Sequence, residues 1–89
     1  MSETKDIVEL RKEIDAIDTQ LWSLIQQRVD VARRIGEWKR QHDEPVVQAE
    51  RFQEVVNHCQ QEALARGLSQ EVVHGVMEAL HKESVRVEL

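Results

Sequence analysis

IVELRKEIDAIDTQLWSLIQQRVDVARRIGEW, residues 7–38, spaces its apolar side chains by alternating steps of three and four. Ile7, Leu10, Ile14, Ile17, Leu21, Leu24, Val31, Ile35 and Trp38 fall on one stripe, and Arg28 is the position that breaks it. This rhythm marks a long amphipathic helix whose stripe meets other helices. The helix is expected from about Thr4 or Lys5 to Gln41, with no proline and with Gly36 as its interruption. At about 1.5 Å per residue it would be roughly 55 Å long. A compact monomer of this size has a radius of gyration of only about 12 Å. The helix therefore overhangs any globule the chain could form alone, and a second copy is the simplest cover for its seam.

Working outward, His42-Asp43-Glu44-Pro45 forms the first connection, because Pro45 pushes Glu44 out of helical backbone. A second helix is expected from Gln48 or Ala49, with Phe52, Val55, Val56, Cys59 and Ala63 on one face. It ends at Arg66-Gly67, where Gly67 suits the left-handed cap position. Ser69 is a good N-cap for a third helix, with Glu71 in its first turn. That helix carries Val73, Val76, Met77 and Leu80 on a stripe continuing through Ser84 to Val87 and Glu88. The expected architecture is all-α: a single domain over residues 1–89, with one long N-terminal helix and two shorter ones, in an intertwined homodimer.

Composition excludes several classes of function. Three aromatics (Trp22, Trp38 and Phe52) leave the core to Leu, Ile, Val and Ala. Three glycines and one proline give no hairpin signal. The lone cysteine, Cys59, rules out an internal disulfide and suits a reducing cytoplasm; it falls on an apolar stripe without an activating base. No apolar run approaches the roughly 18 residues of a membrane span, and the first residues lack a signal peptide's apolar region. A net charge of −5 argues against nucleic acid as a partner. Any anion site must be a local concentration of cations.

The polar residues that sit out of place are mostly such cations. Burying a guanidinium without an anionic partner costs several kcal/mol, so Arg28 calls for either a distant acid or an anionic ligand. Lys39 lies eleven residues further on, about three turns, and so shares its face at about 16 Å in rise. Together they bracket a small molecule. Arg11 is about 42 Å in rise from Lys39 and joins such a site only from an antiparallel partner chain. Arg51 works against the dipole of the second helix, a cost an anion offsets. Ser84 and Glu88 lie one turn apart on the apolar face of the third helix. Each has a purely structural alternative. Arg11 can pair with Asp15, Lys39 can serve the last helical turn, Arg51 can pair with Glu50 or Glu54, and the chain end can fray. His42, His58, His74 and His81 lack metal-ligand spacing, and His74 and His81 fit a solvated face. No nucleophile–base pair and no glycine-rich phosphate loop is present. Dianion binding followed by chemistry needing only positioning and electrostatics fits best, with no cofactor or metal.

Leu10-Arg11-Lys12-Glu13-Ile14-Asp15, Ile17-Asp18, Gln27-Arg28, Ile35-Gly36-Glu37-Trp38-Lys39, Pro45-Val46, Glu50-Arg51 and Glu83-Ser84 with Glu88 resemble the all-helical chorismate mutase family. The likeness covers nearly the whole chain and is nearest to the mutase domain of chorismate mutase–prephenate dehydrogenases. It implies a Claisen rearrangement of chorismate to prephenate, without base or covalent intermediate. It also implies that Arg28 and the partner chain's Arg11 hold the two carboxylates, and that Lys39 donates to the breaking ether oxygen. Arg51 and Ser84 would assist carboxylate binding, and residue 88 would be a second donor to the ether.

Three positions depart from the family's common pattern. Glu88 replaces a frequent glutamine, and a carboxyl donates only when protonated, a form that burial favours and Lys39 opposes. Phe52 stands where glutamate usually helps to recognise the substrate's hydroxyl, and Gln48 where aspartate is common. Isochorismate–pyruvate lyase, which forms salicylate, and aminodeoxychorismate mutase are therefore the alternative activities. A helical dimerisation or regulatory module is the non-enzymatic one.

Overall fold

The computed structural model describes residues 6–89. Three helices follow in order: α1 (Ile7–Gln41), α2 (Ala49–Ala65) and α3 (Gln70–Glu88). Asp6 caps α1, its carboxylate accepting from the Glu9 amide at 3.0 Å. The start expected at Thr4 or Lys5 lies outside the described residues. Ser69 caps α3 as its sequence suggests, accepting from the Val72 amide at 3.2 Å.

Both connections are set by left-handed residues. After α2, Gly67 at φ 72° lets the Gly67 and Leu68 amides return to the carbonyls of Leu64 and Ala63, a Schellman ending. After α1 the same device uses Asp43 at φ 53°, and the Glu44 amide returns to the Lys39 carbonyl at 2.9 Å. The chain thus reverses at once, and Pro45 and Val46 lie back against the end of α1.

α3 is the central element. It packs against α1 and against α2, whereas α1 and α2 make no contact of their own among the described residues. Between α2 and α3 the core is Val56, Ala63, Val73 and Met77, flanked by Phe52, Val55, Cys59 and Leu80. This is the apolar face expected of α2, with Cys59 inside it. On α1, the residues buried against α3 are Ala32 and Gly36, one turn apart and beside the stripe rather than on it. Gly36 permits the closest approach: a Cβ there would stand 2.6 Å from the Glu88 Cα and 2.8 Å from its carbonyl oxygen.

The long stripe itself stays uncovered. Ile14, Ile17 and Leu24 are each about 60% exposed, and the chain extends over 64 × 23 × 15 Å with a radius of gyration of 17.2 Å. That radius is well above the roughly 12 Å of a compact chain of this size. A continuous apolar face of this length on an elongated molecule is the mark of an interaction surface.

Gly36 gives a direct test of the α1–α3 packing. Alanine is the better helix former by about 1 kcal/mol, but its methyl meets backbone atoms that cannot rotate away. Gly36→Ala is expected to lose about 1–2 kcal/mol net through overpacking, read as a lower urea midpoint. A rise in the midpoint would show that α3 does not approach α1 this closely.

Candidate active site

A cavity of about 480 Å³ opens between the C-terminal half of α1, the first turns of α2 and the last turns of α3. Its volume falls in the range of about 300–1,000 Å³ common to small-molecule sites. α1 supplies Arg28, Val31, Ala32, Ile35, Trp38 and Lys39; Val46 and Gln48 come from the connection; Arg51, Phe52 and Val55 come from α2. α3 closes it with His81, Ser84, Val85 and Glu88. Seven of the eight residues singled out in the sequence therefore line one cavity, and Arg11 does not.

Arg28 is half-buried and carries no protein carboxylate among the described residues. Its Nη1 donates to Ser84 Oγ at 2.7 Å and to the Leu80 carbonyl at 3.4 Å. Neutral acceptors orient the guanidinium without neutralising it, which leaves the charge available to an anion. At the other end, Lys39 Nζ donates to Glu88 Oε1 at 2.6 Å and to the Val46 carbonyl at 2.8 Å. Both side chains of this ion pair are largely shielded, 13% and 9% exposed. The last turn of α3 does not fray: Arg40 Nη1 holds the Glu88 carbonyl at 2.8 Å.

Arg51 reaches only Glu54, at 3.5 Å on an exposed surface, a weak pair in water. It stands at the rim with its charge largely free. Gln48 is the N-cap of α2, and its side chain donates to the Pro45 carbonyl at 3.3 Å rather than capping the helix. Phe52 turns partly into the cavity and partly onto the α2–α3 core. Three cations against one carboxylate give the lining a local excess of positive charge in a chain whose net charge is −5.

Arg11 is exposed, and 17 residues of helix place it about 25 Å in rise from Arg28. Within one chain it takes no part in the cavity. Glu83, part of the recognised Glu83-Ser84 pair, faces outward: its hydrogen bond from Arg86 holds the carboxyl below its ordinary value. Among the described residues no cluster of His, Cys, Asp or Glu is suited to hold a metal, and no helix is long and apolar enough to cross a membrane.

Some site residues escaped the sequence. His81, expected on a solvated face with His74, instead lines the cavity and stacks on Phe52 at a centroid distance of 4.0 Å. His74 meets Gln60 at 3.2 Å. Gly36, Arg40 and the Val46 carbonyl fix the Lys39–Glu88 end. The one available signal was the four-residue row Arg28, Ala32, Gly36, Arg40, whose small members mark a close helix contact.

Fold and cavity together define an all-helical protein with a cavity lined by three cations. The chain belongs to the chorismate mutase type II family, whose model matches residues 10–89. A 4-amino-4-deoxychorismate mutase of Streptomyces venezuelae is 30% identical over 88 residues, covering 99% of this chain and 85% of that protein. The T-protein of Haemophilus influenzae is 30% identical over 84 residues, 94% of this chain and 22% of its own length. A bifunctional chorismate mutase/prephenate dehydratase of Aquifex aeolicus is 41% identical over 51 residues, 57% of this chain and 14% of its own length. The chain thus spans less than a quarter of the latter two proteins. No solved structure gives a significant match.

The buried pair is testable by a double-mutant cycle. Lys39→Met leaves Glu88 shielded and unpaired, a loss of about 3–5 kcal/mol. Removing both charges, in Lys39→Met/Glu88→Leu, is expected to restore most of it. Additive losses in urea unfolding would show that the two groups do not interact.

Proposed function

We propose that the chain rearranges chorismate to prephenate in the cytoplasm, using Arg28, Lys39 and Glu88 as its central groups. The observation that carries this is the convergence, in one cavity of a chorismate mutase-family fold, of an uncompensated Arg28 and an inward-facing Lys39. In the reaction the ether C–O bond breaks as a C–C bond forms to the enolpyruvyl carbon, in one cyclic shift that gains and loses no proton. The protein's work is to hold the folded conformer and to stabilise charge on the ether oxygen.

Arg28, steadied by Ser84, receives one carboxylate, and Arg51 at the rim adds attraction. Lys39 donates to the ether oxygen. Glu88 is the second donor when protonated, while in its ionised form it occupies Lys39. Gln48 and Phe52 form the α2 wall. The other carboxylate is met by Arg11 of the partner subunit in a homodimer. The dimer is supported by the uncovered stripe on α1 and by the distance of Arg11 from its own chain's cavity.

A second activity, rearrangement of 4-amino-4-deoxychorismate, is favoured by one relative's name and by Phe52, which offers the ring substituent no carboxylate. Separate incubations with chorismate, 4-amino-4-deoxychorismate and isochorismate, with products identified chromatographically, distinguish the activities. Prephenate from the first is the expected result. Salicylate and pyruvate from the third alone would overturn it, as would turnover of the amino compound alone.

Two further outcomes follow from the assigned roles. Glu88→Gln, whose amide supplies a permanent donor, should keep or raise turnover, whereas Glu88→Ala should lower it. Unchanged turnover in Glu88→Ala removes Glu88 from the mechanism. Arg11→Ala and Arg28→Ala should each abolish turnover while circular dichroism keeps the helical signal. Mixing the two variants should restore about a quarter of wild-type activity, since half of the dimers are mixed and each has one of two sites intact. No recovery would exclude a shared site.

A further inference from the structure

The ends of the cavity are cationic, but its wall between α2 and α3 is not. There Phe52 lies flat on His81, with centroids 4.0 Å apart and planes at 28°. Offset stacking of this kind holds a ring in place and leaves its edge for hydrogen bonding. His81 is half-buried, and neither ring nitrogen has a hydrogen-bond partner among the described residues. A ring edge without a protein partner, open to solvent on the lining of the cavity, is free to meet a ligand.

The chemistry of the lining narrows what that ligand group is. Arg28, Lys39 and Arg51 can only donate. Ser84 Oγ already accepts from Arg28, and the Glu88 carboxylate is taken by Lys39. A neutral imidazole accepts at one nitrogen. The amide oxygen of Gln48, whose nitrogen is tied to Pro45, is the other neutral acceptor. Chorismate and its 4-amino counterpart carry two carboxylates, an ether oxygen and one further polar group on the ring. That group is a hydroxyl or an ammonium, and both donate.

Resting on the mutase function above, we propose that His81 is a specificity-determining residue. Its imidazole, held flat by Phe52, accepts a hydrogen bond from the substituent at ring position 4. The cations bind what every substrate of this kind shares, and His81 reads the group by which such substrates differ.

The experiment compares kcat/KM for chorismate, 4-amino-4-deoxychorismate and the 4-deoxy analogue of chorismate, in the wild type, His81→Leu and His81→Gln. The wild type should prefer a donor-bearing substrate over the 4-deoxy analogue, and the preferred one identifies the substituent as hydroxyl or ammonium. In His81→Leu that preference should shrink about tenfold, the scale of one lost hydrogen bond. His81→Gln, which keeps an acceptor, should recover part of it. Equal loss on all three substrates would make His81 a wall and overturn the proposal. So would a preference that survives in His81→Leu but disappears in Gln48→Ala, which would assign the role to Gln48. A wild type that turns over the 4-deoxy analogue as well as the others refutes it without any variant. A wild type that turns over none of the three refutes the mutase function itself.

Discussion

The contact between Lys39 and Glu88 ties the molecule together. Two opposite charges are withdrawn from water, and such a pair is tolerated only when its remaining donors and acceptors are satisfied. Here Lys39 also donates to the Val46 carbonyl, Arg40 holds the Glu88 backbone, and among the described residues no fully buried side-chain polar atom lacks a partner. One ammonium thereby joins the end of α1, the connection that follows it and the end of α3. Gly36 is what allows the two helices close enough for this to happen. The cavity is the space these three segments enclose together with α2. Its shape therefore depends on this contact, which the proposed mechanism requires the substrate to disturb.

The same arrangement divides labour along the cavity. Arg28 is oriented by uncharged oxygens and stays electrostatically open, whereas Lys39 is paired. The first is suited to capture, the second to a task that begins only after binding. The wall from α2 contributes a stacked ring pair and no formal charge. A dianion entering this space meets a field that orients it before any contact is made.

Much of this was legible in the sequence because it is periodic. The alternating stripe gave α1 its length, Ser69 and Gly67 gave the boundaries of α2 and α3, and Arg28 stood out against an apolar run. Arg28, Lys39, Gln48, Arg51, Phe52, Ser84 and Glu88, singled out along the chain, line one cavity, while Arg11 and Glu83 lie outside it. What escaped depends on distance through space rather than along the chain. His81 matched His74 at a seven-residue interval, and only the packing of α3 on α2 turned one toward Phe52 and the other toward Gln60. Gly36 read as an interruption because its value lies in what approaches it. The carbonyl of Val46 carries no side-chain signal at all. The left-handed Asp43, which returns the chain, resembled an ordinary loop residue beside Pro45.

The uncovered half of α1 has a consequence for how the protein comes to be folded. Among the described residues, those of α1 that are at least partly shielded begin at Ile25. Every described residue from Asp6 to Leu24 is exposed, its apolar side chains included. A helical segment of that kind is marginal by itself. In the proposed homodimer its order is reinforced by the partner, so that the final shape of α1 and the encounter of two chains become a single event. For such an assembly, completing secondary structure is a matter of mass action.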